Sequence, residues 1–311
     1  MRSLFVMDPL DRINLAGDST FMLMRESTAR GWSCAWCTPG DLLVRGGRTR
    51  ARVQDVVTRA EGFERGAVHE ASLDDFALVW MRKDPPFDME YIFTTYLLEM
   101  TDAVVLNRPT SIRSRNEKLF ALRYAALGPD TLVSRDLRAI VAFAESLPDR
   151  VVLKPWDGNG GRGVLVSQKG DPNLSSMIEL LTADGTRSIL AQRYIPEIVQ
   201  GDKRIVLIDG EPVGAMLRVP SKSDHRGNMH VGATVRATTL TDTDLRICTA
   251  IAPTLKDEGL LFVGIDVIGQ SLTEINVTSS TGIQEINKLD GVRLEALVID
   301  AAARCVERKS R

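Results

Sequence analysis

The chain has 311 residues, 44% of them apolar and 26% charged, with a formal net charge of −2 at pH 7. That length calls for two or three packed units, and the near-neutral charge gives no expectation of nucleic acid or an anionic membrane as partner. No apolar run approaches the ~20 residues of a membrane span, and the stretch ahead of Asp8 is too short for the apolar core of a secretory signal, so a cytoplasmic location is expected.

In chain order, "SLFVM" (3–7) reads as a short apolar strand. Asp18 is a candidate N-cap for the helix "STFMLMRESTARG", which stops at Gly31. "WSCAW" is the next strand, and "DLLVRGGRTRARV" a hairpin about Gly46-Gly47. "FALVWMR" (76–82) is a buried strand that ends in "RKDPPFD". A helix around Met89–Met100 and the strand "AVVLN" (103–107) follow. This alternation predicts an open α/β sheet with ligands beyond the strand ends. "RKDPPFD" occupies such a place, with a solvated turn as its alternative.

After Pro109 the texture changes. "SIRSRNEKLFALRYA" (111–125) and "RAIVAFAESL" read as helices. Hairpins follow in "VVLKP…GVLVS", in "KRIVLIDGEPVGAMLRV" turning at Asp209-Gly210, and in "LFVGIDVIGQSLTEINV" turning at Gly269-Gln270. The helix 242–259 separates the last two. This half is α+β, with mostly antiparallel pairing, so the fold class is α/β followed by α+β.

Cys34 and Cys37 spell C-A-W-C, but there is no second CxxC, and His69, His225 and His230 are not spaced as zinc ligands. The pair sits in a predicted strand, whereas a thioredoxin-like motif opens a helix. Ordinary strand cysteines are expected.

Gly158, Gly160 and Gly163 in "VVLKPWDGNGGRGVLV" satisfy G-x-G-x-x-G literally. The dinucleotide fingerprint needs a helix to open at the last glycine, and here a strand follows. The acid about 20 residues on, Glu179, falls in an apparent surface helix, and no Walker A pattern is present. A nicotinamide oxidoreductase is therefore dismissed. What remains is a glycine-rich hairpin tip (Gly158, Gly160, Gly161, Gly163) with Lys154 at its base. Its backbone amides can approach a phosphate, and Lys154, with Lys118 in "RNEKLF", adds positive charge.

Glu274 and Asn276 are two apart and so share a strand face. A hairpin at Gly269-Gln270 brings Asp266 opposite them. Three oxygen ligands then converge as Mg²⁺ prefers, with nucleotide phosphates and water completing the shell. The alternative is a half-exposed sheet with these three residues in solvent and Ile275 and Val277 in the core.

With these residues in view, the chain resembles the bacterial (prokaryotic-type) glutathione synthetase family of the ATP-grasp superfamily over nearly its whole length. The matching stretches are "VMDP", "MRKDPPFD", "NEKLF", "LKPWDGNGG", "GDPNL", "GDKRIVLIDGEPV", "RGN", "PTLKDEGL", "FVGIDVIG" and "LTEINVTSS". The resemblance implies an ATP-grasp fold in three units. These are a preATP-grasp α/β domain over 1–115, a central lid with the glycine loop over 116–190, and a C-terminal unit with the metal site over 191–311. ATP would lie between two antiparallel sheets.

It further implies that Lys118 and Lys154 contact phosphates, together with Gly158, Gly160, Gly161 and Gly163. Gln192, Tyr194 and Ile195 in "AQRYIPE" would meet adenine, and Asp202 would lie near the ribose. Asp266, Glu274 and Asn276 match the Mg²⁺ ligands, with Mn²⁺ as a substitute. Arg204, Arg218 and Arg226 match basic positions facing the phosphoryl group or peptide substrate, and Ser279 a substrate contact. Residues 219–232 match a mobile loop that closes over the site. The implied reaction joins γ-glutamylcysteine to glycine at the expense of ATP, giving glutathione, ADP and phosphate through an acyl phosphate. The implied assembly is a homo-oligomer, a tetramer. Two places depart from the pattern: Ser280 stands where the family usually has proline in "NVTSPTGI", and Trp156 and Arg162 flank the glycine loop. Both places bear on the substrate pair. A ligase of a different donor or amine, and an ATP-binding protein without catalysis, are the alternatives.

Overall fold

The computed structural model describes residues 1–158, 160–220 and 234–310, and the strands and helices counted below are those of the described residues. β1 (Arg2–Val6) is buried along nearly its whole length. α1 (Ser19–Ala29) starts where Asp18 Oδ1 accepts from Phe21 N at 2.8 Å, the cap read from the sequence. β2 (Ser33–Cys37) runs parallel to β1. β3 (Leu42–Arg45) and β4 (Arg48–Arg59) form the expected hairpin, and Gly46 and Gly47 take φ of 60° and 76° at its turn. β4 then pairs with β5 (Gly62–Ser72), a second hairpin that the sequence reading did not find. Residues 64–68 of β5 are all exposed, so no apolar alternation marks them.

β6 (Leu78–Met81), α2 (Met89–Leu97) and β7 (Val104–Leu106) complete a mixed seven-stranded sheet in the order β3-β4-β2-β1-β6-β7, with β5 on β4. Its parallel strands β2, β1, β6 and β7 end on one edge, where Asp8 and "RKDPPFD" emerge. Residues 111–125, expected as one helix, are broken. α3 (Pro109–Ser114) and α4 (Glu117–Ala121) are separated by Arg115 and Asn116. The Asn116 side chain accepts from Lys118 N at 3.2 Å and Leu119 N at 3.1 Å, a local bond that competes with continuing the helix.

β8 (Thr131–Ser134), α5 (Leu137–Ser146), β9 (Arg150–Pro155), β10 (Leu165–Gln168), α6 (Leu174–Thr182) and β11 (Ile189–Arg193) follow. Their strands form an antiparallel sheet, β10-β9-β11-β8, with its own core of Ile140, Leu153, Ile178 and Ile189. The last unit holds β12 (Asp202–Ile208), β13 (Glu211–Val219), β14 (Thr234–Ala237), α7 (Asp242–Asp257), β15 (Phe262–Ile268) and β16 (Ser271–Asn276). These strands form a second antiparallel sheet, β14-β13-β12-β15-β16, with both expected hairpins in place. α8 (Ile283–Asp290) and α9 (Leu294–Lys309) return the chain to the first sheet, where α9 packs on α1 and β7. One core joins Phe5, Trp80 and Leu106 to Val206, Met216 and Val298. Among the described residues no helix is long and apolar enough to cross a membrane.

Candidate active site

The hairpin of β15 and β16 builds the acidic end. Asp266 lies opposite Glu274, and Gly264 opposite Asn276. Ile265, Ile275 and Val277 are fully buried on the other face, so the alternation read from the sequence aims the three polar side chains together. Asp266 does not face solvent, being only 5% exposed. Its Oδ1 accepts from Arg204 Nε at 2.5 Å and lies 3.0 Å from Arg218 Nη2. Its Oδ2 accepts from Arg204 Nη2 at 3.1 Å and from Asn276 Nδ2 at 3.3 Å. Strand register explains the contacts, since Arg204 pairs with Asp266 and Arg218 with Asp202 across adjacent strands.

The result is a buried ladder of alternating charge, in which Arg218 also donates to Asp202. Burial alone would raise the Asp266 pKa, but the charges of Arg204 and Arg218 outweigh it and hold the carboxyl well below its usual range. For Asp202 burial wins over Arg218 and pushes the carboxyl up to about 7. Among the described residues Asp202 Oδ1 and Arg218 Nε are buried without a hydrogen-bond partner, polar groups that a bound ligand could satisfy.

Two lysines enter from other elements. Lys118 on α4 and Lys154 on β9 place Nζ 3.6 and 3.9 Å from Glu274 Oε1. Both are buried, and desolvation, partly offset by Glu274, lowers the Lys154 pKa. Lys118 also donates to Gly158 O, and Asn116 Nδ2 to Trp156 O at 3.0 Å, so α4 holds the base of the glycine loop. Gly160, Gly161 and Gly163 all take positive φ, and a Cβ on Gly158 would lie 2.7 Å from Pro155 Cγ. The glycines are there for conformation and close approach.

These groups line one cleft of about 660 Å³. Gln192, Tyr194 and Ile195 line it too, with Val152, Val166, Ile198 and Ile268 as apolar lining. Gln192 Nε2 is held by Thr131 Oγ1 at 2.9 Å, and Arg150 stacks on the Tyr194 ring at 3.8 Å. Asp202, Arg204, Arg218 and Ser279 also line it; Arg226 and positions 221–232 of the expected closing loop lie outside the described residues.

Three lining or supporting residues escaped the sequence reading. Arg82, inside "RKDPPFD", lines the cleft and donates to Thr20 Oγ1 at 3.0 Å and Ser280 O at 2.8 Å, which answers the question of a solvated turn. Asp18, read only as a cap, lines the cleft too, and burial raises its pKa. Glu117 accepts from Val277 N, Thr278 N and Thr278 Oγ1 at 2.8–3.3 Å and so fixes the exit of β16. Burial raises its pKa despite the bonds from Thr278. Its place beside Lys118 was the available signal. Cys34 and Cys37 are buried strand thiols whose pKa values burial raises, as expected of unreactive cysteines.

Among the described residues no group of three His, Cys, Asp or Glu side chains could cage a metal. Two carboxylates and an amide oxygen are instead the donor set of a hard cation that takes its remaining ligands from phosphate and water. The chemistry of these three side chains therefore fits a divalent cation.

Comparison with solved structures agrees with this architecture. D-cycloserine synthetase DcsG superposes with a TM-score of 0.67 at 15% identity, covering 99% of this chain and 100% of that one. A RimK domain ATP-grasp protein from Sphaerobacter thermophilus gives 0.62 at 18% identity, covering 97% and 100%. The fold is that of the ATP-grasp enzymes, and the family models and relatives that follow make the chain an ATP-dependent carboxylate–amine ligase. The prokaryotic glutathione synthetase N-terminal domain matches residues 1–113, and the prokaryotic glutathione synthetase ATP-grasp domain matches 117–291. The glutathione synthetase of Pseudomonas syringae pv. tomato is 46% identical over 303 residues, 95% of each chain, and that of Gloeobacter violaceus 44% over 311 residues, 96% of each. The chain belongs to the prokaryotic glutathione synthetase family.

Proposed function

We propose that this chain joins γ-glutamylcysteine to glycine in the cytoplasm, as an ATP- and Mg²⁺-dependent glutathione synthetase. The observation that supports it most is the convergence of Lys118, Lys154, the glycine loop and the Asp266–Glu274–Asn276 set on one cleft.

A carboxylate resists amine attack, so its oxygen is first phosphorylated by ATP and the amine nitrogen then displaces phosphate from the acyl carbon. Lys118 and Lys154 would bind the phosphates, and backbone N–H groups of the glycine loop would cover them. Arg204 and Arg218 hold Asp266 ionised and aimed, and they present positive charge to the tetrahedral oxyanion. A cation held by Asp266, Glu274 and Asn276 would neutralise charge on the transferring phosphoryl group. Gln192, Tyr194 and Ile195 would seat adenine, with Asp202 near the ribose and Ser279 and Arg226 toward the peptide. We divide the chain near residues 115 and 190, although Phe120 of α4 packs into the core of the last sheet. We assign it a homo-oligomeric state, testable by light scattering.

The deciding experiment measures ADP release with γ-glutamylcysteine and glycine, then with other donor–amine pairs. Turnover on the first pair is expected. Silence there, with turnover on another pair, would transfer the site to a different peptide ligase.

A further inference from the structure

Gly264 and Asn276 are register partners at the open end of the β15–β16 hairpin. The hydroxyl of Ser280, only 2% exposed, bridges them. Gly264 N donates to Ser280 Oγ at 3.0 Å, and Oγ donates to Asn276 O at 2.7 Å. The same turn is tied on two further sides, by Arg82 to Ser280 O at 2.8 Å and by Arg204 to Thr281 O at 3.4 Å. Arg204 in turn lies against Gly264, where a Cβ would come within 3.2 Å of its Nη1.

We infer that Ser280 is a positioning residue for the divalent cation: its hydroxyl fixes the main chain of Asn276 at the spacing from Asp266 at which both side chains reach one ion. The inference rests on the metal reading above. Asn276 has its Nδ2 committed to Asp266 Oδ2, so its Oδ1 is the atom left for a cation, and where that atom lies follows from where the main chain of Asn276 is held. A side chain that touches no ligand but orients one that does changes metal affinity by ~10-fold or more.

The test is Mn²⁺ titration of the enzyme with ADP, followed by electron paramagnetic resonance, in Ser280→Ala, Ser280→Thr and Glu274→Gln. ADP affinity without metal and the melting temperature are measured alongside. Ser280→Ala is expected to weaken Mn²⁺ binding by ~10-fold, with metal-free ADP affinity unchanged, and Ser280→Thr to restore it. Should Ser280→Ala fold poorly, Ser280→Cys keeps the volume with a weaker donor and should give the same weakening. Unaltered Mn²⁺ affinity in the alanine or cysteine variant, with a loss in Glu274→Gln, overturns the role of Ser280 alone. Unaltered affinity in Glu274→Gln as well overturns the metal reading and this inference with it.

Discussion

Lys118 Nζ donates a hydrogen bond to Gly158 O, so one lysine both faces Glu274 and holds the glycine loop. Nucleotide phosphates would compete for that nitrogen. Lys118→Ala is expected to lower turnover by ~100-fold and to speed proteolysis within residues 156–163. Near-normal turnover in steady-state assays would remove Lys118 from phosphate binding.

Gly264 admits the Arg204 side chain. A methyl there would lie 3.1 Å from Arg204 Cδ and 3.2 Å from its Nη1. Gly264→Ala should therefore displace the guanidinium from Asp266. Activity is expected to fall at least ~10-fold, while stability falls by only about 1–2 kcal/mol. Comparing kcat with urea unfolding separates the two effects.

Asn107 satisfies three main-chain groups at once. Its Oδ1 accepts from Phe262 N at 3.0 Å, and its Nδ2 donates to Phe262 O and Val277 O, both at 2.9 Å. Asn107→Ala leaves these buried groups without partners, at a cost of about 3 kcal/mol. Denaturant unfolding should read that loss. A change below about 0.5 kcal/mol would show that the strands re-pair without it.

Glu258 accepts from Arg115 and Arg123, and its pKa is lowered chiefly by the Arg115 bond. A lowered folded-state pKa adds stability that is present above the unfolded value near 4.5 and lost as pH falls through the folded one. Glu258→Gln should therefore melt earlier than the parent at pH 7 and converge with it as the pH falls from 4.5 through the lowered folded-state value. Parallel melting curves across that range would contradict the pairing.

Much of the site was legible because strand alternation turns spacing into direction. Glu274 and Asn276, two apart among core isoleucines, could only share a face, and a glycine turn fixed what stood opposite. The ion pairs around them were not legible. That Asp266 meets Arg204 and Arg218 depends on which strands adjoin, and sequence spacing carries no information on neighbours that distant in the chain. Asn116 misled in the other direction, because its cap breaks a segment whose apolar periodicity alone reads as continuous. The hairpin of β4 and β5 was missed since residues 64–68 of β5 are exposed on both faces, so no apolar alternation marks the strand.

The apolar cores have a mechanical consequence. Phe5, Trp80 and Leu106 share one core with Val206, Met216 and Val298, whereas the core of the β8–β11 sheet comes entirely from residues 132–191. Hydrogen exchange should accordingly resolve two cooperative units: a large one that opens only with global unfolding, and a smaller one able to open by itself. A movement of the small unit against the rest would then leave both apolar cores intact, so the energy of gripping a nucleotide would go to closure rather than to repacking a core.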